Sequence, residues 1–118
     1  MHSEGFLKLA KETQARINEI TVDQLKKMMT NKNKFNLIDV REKDEWEKGV
    51  IPSAIHLSKG IIERDIENKI SDKDAFIVLY CGGGYRSALA ADNLQKMGYT
   101  NIHSLVGGYS GWRQHADI

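Results

Sequence analysis

The sequence predicts one α/β domain built around a mainly parallel sheet. Short apolar runs rich in β-branched and aromatic residues alternate with helical patterns along most of the 118 residues. The longest run, residues 75–81, lacks polar alternation, which is typical of a strand covered on both faces. Alternating strands and helices form parallel sheets, whose binding sites lie beyond the carboxyl ends of the strands.

Two helices are predicted at the start of the chain. Residues 3–16 place apolar side chains on one stripe at helical spacing. A second helix should begin after Thr21, because its hydroxyl can cap the first turn while Gln24 reaches back to complete a capping box. We expect this second helix to end near residue 29.

Strands and helices then alternate to the end of the chain. Apolar runs predict four strands, at 35–40, 54–57, 75–81 and 102–106. Helical patterns lie between and after them, at 42–48, 59–69, 86–97 and in a short final segment. Gly49 and Gly98 stand where two of these helices would end. Trp46 and Trp112 are expected to be buried anchors of the charged helix and the final helix.

Composition and charge exclude several classes of function. The formal net charge of +1 predicts no nucleic-acid footprint and no attraction to anionic membranes. The first ten residues hold no apolar run long enough for a signal peptide or a membrane span. The one cysteine cannot form an internal disulfide, which fits a reducing compartment, and we expect the cytoplasm. None of the four histidines lies at metal-ligand spacing, so no metal is expected.

The segment that carries chemistry follows the longest apolar run. Cys81 leaves the predicted strand, enters a turn of three glycines and meets the start of a helix near Arg86. Glycines let consecutive N–H groups point into one concavity, and the positive end of the helix dipole lies at the same place. With the planar cation of Arg86, these groups favour the thiolate, which is the nucleophilic form. Cys81 is thus the candidate nucleophile, and the candidate substrate-binding residues are Gly82, Gly83, Gly84, Tyr85, Arg86 and Ser87.

Three other interpretations of this segment are weaker than that of a nucleophile: a packing cysteine, a phosphate-binding P-loop and a dinucleotide-binding loop. Most free cysteines are packing residues, but packing alone gains nothing from three glycines, an arginine and a helix start directly afterwards. A phosphate-binding P-loop needs a lysine, which this loop lacks. A dinucleotide fingerprint needs a third glycine where Ser87 stands.

Four segments, in order, resemble the motifs of the rhodanese family. CGGGYRS at 81–87 resembles its CxxGxRS active-site loop, and DVR at 39–41 resembles its Asp-Val-Arg segment. EWEKGVIPSA at 45–54 resembles E(F/Y)xxGHIPGA, and GGYSGW at 107–112 resembles GGxxxW. Two departures fall in the third segment, where Val50 replaces the usual histidine and Ser53 the usual glycine. That segment is mainly architectural in the family, so we expect a shifted loop and retained chemistry.

The resemblance implies a fold and a division of the chain. The fold is a five-stranded, mainly parallel sheet with helices on both faces. The leading helix, residues 1–16, lies outside the core match and has no assigned role, and the rhodanese-like domain is placed at 17–118. Asp39 and Arg41 are expected to be a supporting ion pair, because a carboxylate beside a thiolate would oppose its charge. Arg41 is also expected to reach Glu45 across one helical turn.

The resemblance also implies a reaction. Cys81 would take sulfane sulfur from thiosulfate or a persulfide donor and pass it from a persulfide to cyanide, a thiol or a protein cysteine. Arg86 would hold the sulfonate end of the donor, while Ser87 would cap the helix and donate to the sulfur. No cofactor is required. The expected partners are the donor anion, the thiol or cyanide acceptor and, as a further candidate, a sulfur-relay protein; the physiological donor and acceptor stay open.

Three alternatives remain in view. Phosphatases and arsenate reductases of related fold have five residues between cysteine and arginine, whereas four separate Cys81 from Arg86, which makes a narrower cradle. A non-enzymatic binding module is a second alternative, and a carrier loaded by a desulfurase is a third. The enzymatic interpretation requires that solvent can reach the side chain of Cys81.

Overall fold

The computed structural model describes residues 2–115, and these form an all-parallel sheet of five strands between helices. The strands are β1 (Asn18–Ile20), β2 (Asn36–Asp39), β3 (Ile55–His56), β4 (Ile77–Tyr80) and β5 (Ile102–Leu105). The helices are α1 (Glu4–Gln14), α2 (Val22–Thr30), α3 (Lys43–Glu47), α4 (Ile62–Lys69), α5 (Tyr85–Lys96) and α6 (Gly108–His115). The strand order is β1-β5-β4-β2-β3, so β4 lies at the centre.

The central strand β4 divides its side chains between two apolar cores. Ile77 and Leu79 pack into a cluster with residues of α4 and α5 on one face of the sheet. Val78 and Tyr80 pack into a second cluster with residues of α2 and α6 on the other face. All four are buried, because successive side chains of a strand point to opposite faces and both faces are covered. The expected fold class is therefore confirmed.

The leading helix α1 packs against α5 of the same chain. Its inner side buries Ala10 and Thr13. Just beyond its end, the Arg16 guanidinium lies 3.0 Å from the carboxylate of Asp92. The side-chain amide of Gln95 donates to the Arg16 carbonyl at 3.1 Å. Apolar and polar contacts thus seat α1 on the outer side of α5.

Some local predictions hold and others fail. The Thr21 capping box is present, with the Gln24 N–H 3.1 Å from the Thr21 hydroxyl and the Gln24 side chain 2.8 Å from the Thr21 N–H. The strand β1 was not predicted from local pattern. Neither predicted tryptophan anchor is fully buried. Trp46 is half-buried and stacks on His56 with ring centroids 5.0 Å apart, and Trp112 is half-buried against the core cluster that contains Val78 and Tyr80. None of the described helices is both long and apolar enough to cross a bilayer.

Candidate active site

The candidate nucleophile lies at the carboxyl end of the central strand. Cys81 follows β4 directly, and Asp39 ends the neighbouring strand β2. The strand that follows β4 in the chain, β5, lies on one side of this pair, and the strand that follows β2, β3, lies on the other side. Such a reversal opens a crevice beyond the strand ends, which is where parallel sheets bind ligands.

Backbone amides hold the sulfur of Cys81. The N–H groups of Gly84 and Ser87 donate to Sγ at 3.1 and 3.4 Å. Gly84 is the N-cap of α5 and has φ 107°, a left-handed conformation that glycine adopts without a steric penalty. The helix cap is therefore Gly84 and not Ser87, contrary to the prediction. Two helix N-terminal amides at one sulfur are an arrangement that favours its anionic form.

A pair of hydroxyls lies behind the sulfur. The thiol of Cys81 donates to the Ser87 hydroxyl across 3.6 Å. That hydroxyl shares a 2.8 Å hydrogen bond with the hydroxyl of Ser104 on β5, and both serines are buried. The predicted direction, from Ser87 to sulfur, is thus the reverse of the bond with the neutral thiol. When the sulfur is ionised it can only accept, so the hydroxyl must then be the donor.

The glycine pair at 107–108 lets the start of α6 pack against the cysteine loop, residues 81–87. At the start of α6, the N–H of Tyr109 donates to the Cys81 carbonyl at 2.7 Å, and the N–H of Ser110 donates to the Gly82 carbonyl at 3.0 Å. Gly108 has φ 54°, and a side-chain carbon there would lie 2.8 Å from the Gly82 carbonyl oxygen. Because no real side chain fits so closely, glycine is required for α6 to reach the loop.

Arg86 is paired with a carboxylate for which the sequence predicts a different partner. Its two terminal nitrogens lie 2.9 and 3.0 Å from the two oxygens of Glu45. The hydrogen bond from Arg86 lowers the pKa of Glu45 from 4.5 to about 2, against the opposing effect of burial. The bonds to Glu45 raise the pKa of Arg86 above its usual value, against the opposing effect of burial. The predicted Arg41–Glu45 pair is wrong.

Arg41 instead turns inward to Asp39. Its terminal nitrogen lies 2.7 Å from the Asp39 carboxylate and 2.6 Å from the Gly49 carbonyl, and both charged side chains are almost fully buried. The guanidinium also lies 4.3 Å from the ring centroid of Tyr109, the residue whose N–H holds the Cys81 carbonyl. This geometry connects the ion pair to the cysteine loop through α6.

The cysteine lies at the bottom of a cavity of about 370 Å³. Cys81 itself is only 1% exposed, yet it lines the cavity, so the route to its side chain runs through this space. Of the residues predicted to bind substrate, Gly83, Tyr85 and Arg86 line it too. The remaining wall comes from the N-terminal segment, as His2, Ser3 and Phe6.

Sequence reasoning missed several residues of this site. Glu45 lies in a segment already matched to a family motif, but nothing local marks it as the partner of Arg86. Ser104 is a single hydroxyl residue in the last strand, with no pattern around it. His2 and Phe6 lie outside every matched motif. Asp39 and Arg41 do not line the cavity.

The fold and this site define a class: an α/β domain with a cysteine in an amide-lined loop at the end of its central strand. A family model described as the rhodanese-like domain matches residues 21–115. The chain therefore belongs to the rhodanese-like domain family. The helix α1 precedes the matched region.

Relatives agree with this assignment. A thiosulfate sulfurtransferase of Coxiella burnetii is 31% identical over 87 residues, which are 74% of this chain and 79% of that protein. A Bacillus subtilis protein whose name proposes a sulfur-carrier role is 31% identical over 101 residues, or 86% of this chain. The match spans 54% of the length of the Bacillus subtilis protein.

Two solved structures are similar over most of the chain. A rhodanese-like domain protein of Staphylococcus aureus has a TM-score of 0.75 and 28% identity, covering 81% of this chain and 91% of its own. A protein from Rhodopseudomonas palustris, described as of unknown function and a possible tyrosine phosphatase, has a TM-score of 0.87 and 26% identity. The latter match covers 98% of this chain and 94% of that one, so it includes α1.

Proposed function

We propose that the protein is a sulfurtransferase that carries sulfane sulfur as a persulfide on Cys81. The observation that carries the proposal is the contact of two backbone N–H groups, from Gly84 and Ser87, with the cysteine sulfur at the start of α5. The same donors that favour a thiolate can stabilise the negative charge of a persulfide. Family membership and the relatives named as sulfurtransferases support the same reaction.

The reaction needs no group beyond the donor, the acceptor and the cysteine. The Cys81 thiolate attacks the outer sulfur of thiosulfate or a persulfide donor, and a new S–S bond forms as the old one breaks. Sulfite, or the donor thiolate, departs with the electron pair of the broken bond. An acceptor nucleophile such as cyanide, a thiol or a protein cysteine then attacks the outer sulfur, and Cys81 leaves as a thiolate ready for another cycle.

Ser87 and Arg86 have distinct roles in this proposal. The Ser87 hydroxyl, positioned by Ser104, donates to the sulfur whenever the sulfur is anionic. Arg86 closes one side of the cavity with its guanidinium and offers the donor only those N–H groups that Glu45 leaves free. We propose that it meets the sulfonate end of the donor at this edge. Asp39 and Arg41 support the loop through α6 without touching the donor.

Sulfur loading tests the proposal directly. The protein is treated with thiosulfate, separated from the donor and weighed intact by mass spectrometry, with Cys81→Ser as the matched control. We expect a gain of one sulfur atom in the wild type and none in the variant. The proposal fails if thiosulfate, organic thiosulfonates and low-molecular-weight persulfides all leave the mass unchanged.

A phosphatase is the second candidate, because the Rhodopseudomonas palustris structure is described as a possible tyrosine phosphatase and matches nearly the whole chain. The loop argues against it, since four residues separate Cys81 from Arg86, whereas five separate the cysteine and arginine of the phosphatases of related fold. Hydrolysis of p-nitrophenyl phosphate without any sulfur loading would favour the phosphatase. Failure to show either activity would favour a binding module.

Partners and compartment follow from the same chemistry. The substrates are a small sulfur-donor anion and a thiol or cyanide acceptor. The Bacillus subtilis relative adds support for a sulfur-relay protein as a further partner, which would exchange sulfur with the same cysteine. Because the cysteine is free and must stay reduced to react, we propose a cytoplasmic location.

A further inference from the structure

An aromatic wall, formed by His2, Phe6 and Tyr85, lines the cavity that leads to Cys81. The rings of His2 and Phe6 both meet Tyr85 edge to face, with centroids 5.2 and 6.0 Å apart. His2 and Phe6 are in mutual contact at 5.0 Å. Edge-to-face rings attract one another, so the three side chains form one continuous aromatic wall. Two of the three come from the N-terminal segment, outside the residues matched to the family.

The N-terminal segment is held in this position. Ser3 caps α1 by accepting the N–H of Phe6 at its hydroxyl across 3.3 Å, and its carbonyl accepts the N–H of Leu7 at 3.0 Å. At the other end of the helix, the ion pair between Arg16 and Asp92 ties α1 to α5. Because α5 also starts just after Cys81, the N-terminal segment and the nucleophile both adjoin the same helix.

The cavity is larger than an inorganic donor requires. Pockets that hold organic ligands begin at about 300 Å³, and this one measures about 370 Å³. The lining includes one guanidinium and three rings, so most of the surface around the cavity is apolar or aromatic. A bare anion would leave that wall unused, whereas a donor with a hydrocarbon body would cover it.

The charge at the entrance also disfavours a doubly charged donor. Among the described residues that line the cavity, Arg86 supplies a guanidinium, and Glu45 binds both of its terminal nitrogens. A Glu45 oxygen lies 4.0 Å from the position that a side-chain carbon at Gly82 would occupy, so the carboxylate borders the loop. A dianion that approaches Arg86 therefore also approaches a negative charge.

We propose that His2, Phe6 and Tyr85 form a binding wall that selects organic sulfane donors with an apolar body over thiosulfate. The inference rests on the proposed function and names the substrate class of the same site. Organic thiosulfonates, R–SO₂–S⁻, are the matched probes. The Cys81 thiolate attacks their terminal sulfur, the S–S bond forms, and R–SO₂⁻ leaves with the electron pair of the broken bond.

The test compares donors that differ in one property at a time. Thiosulfate is a dianion, methanethiosulfonate is a small monoanion, and benzenethiosulfonate is a monoanion with an aromatic body. Loading of Cys81 is followed by mass spectrometry, on a chain with no N-terminal extension, to give kcat/KM for each donor. For each variant, kcat/KM for benzenethiosulfonate is divided by kcat/KM for methanethiosulfonate, and this donor ratio is compared with that of the wild type. The comparison cancels the intrinsic reactivity of the two donors.

Phe6→Ala should lower this ratio about fivefold, the range that one aromatic contact is worth. Phe6→Tyr keeps the ring and should restore it. Leu9→Ala is the matched control, because Leu9 is 51% exposed on the same helix and does not line the cavity. Its ratio should equal that of the wild type. His2→Ala, which lies before the helix, should lower the ratio without removing a helical residue.

Glu45→Gln tests the charge argument separately. It removes the carboxylate at the entrance, so loading from thiosulfate should rise about threefold relative to methanethiosulfonate at low salt. Unchanged ratios in Phe6→Ala and His2→Ala, in a protein that loads sulfur from all three donors, would overturn this inference and leave the sulfurtransferase proposal standing. Failure of the wild type to load from any donor would instead overturn the proposed function, and this inference with it.

Discussion

The contact between α6 and the cysteine loop leads to the sharpest stability prediction. Gly108→Ala places a methyl group 2.8 Å from the Gly82 carbonyl oxygen and closer still to that of Cys81. It also requires alanine to adopt φ 54°. The helix must therefore move away from the loop, and the hydrogen bonds from Tyr109 and Ser110 to the loop carbonyls break or lengthen.

The size of the effect follows from these contacts. Each of the two hydrogen bonds contributes about 1 kcal/mol, and a left-handed conformation costs alanine roughly 1–2 kcal/mol. The expected loss in the free energy of unfolding is therefore about 3–4 kcal/mol. A domain of this kind has about 5–15 kcal/mol in total, so Gly108→Ala should still fold. Sulfur loading should fall as well, because the Cys81 carbonyl loses its support.

Urea denaturation and the loading assay measure both effects on the same samples. Gly60→Ala is the matched control, because the same methyl group there meets nothing within 4 Å and Gly60 has no left-handed φ. Its midpoint should stay close to that of the wild type. The reasoning is refuted if Gly108→Ala and Gly60→Ala unfold at the same urea concentration and load sulfur at the same rate.

Three further predictions concern charge and backbone conformation. Because Arg86 lowers the pKa of Glu45 from 4.5 to about 2, the stabilisation is complete above pH 4.5 and is lost as the pH falls towards 2. The pair is one-third exposed, so its loss should lower the free energy of unfolding by no more than about 1 kcal/mol. Between pH 4.5 and 2 the free energy of unfolding should therefore fall less steeply in Glu45→Gln than in the wild type, and equal slopes would contradict this. Asp39→Asn leaves the buried Arg41 cation unpaired and should cost about 3–5 kcal/mol in urea unfolding, whereas a loss below about 1 kcal/mol would argue against a structural pair. Ser53→Gly relieves a φ of 72° and should raise stability by about 0.5 kcal/mol in thermal melts; a lower melting temperature would show that Ser53 is not strained.

The elements that sequence predicted well are those with strong local signals. The strand β4 is a run of buried apolar residues, and the glycines after it mark the turn into α5, so the position of Cys81 could be expected. The strand β1 has three residues, of which two are exposed, and so shows no usable period. It exists because it pairs with β5, more than eighty positions later in the chain.

Long-range partners explain most of what was missed at the site. Glu45 and Arg86 are 41 positions apart, and no sequence pattern joins them. The expected partner of Glu45 was Arg41, four positions away, but Asp39 binds Arg41 in the interior and takes it out of reach. The wall formed by His2 and Phe6 depends on α1 packing along α5, which only the tertiary structure shows.

A load-and-discharge cycle tests most directly whether Cys81 carries transferable sulfur. Protein loaded from a sulfane donor and freed of that donor is mixed with cyanide, while thiocyanate and protein mass are measured together. We predict one thiocyanate for each loaded chain, with the protein returning to its starting mass. Sulfur that stays on the chain, or thiocyanate that forms equally well with Cys81→Ser, would contradict the account.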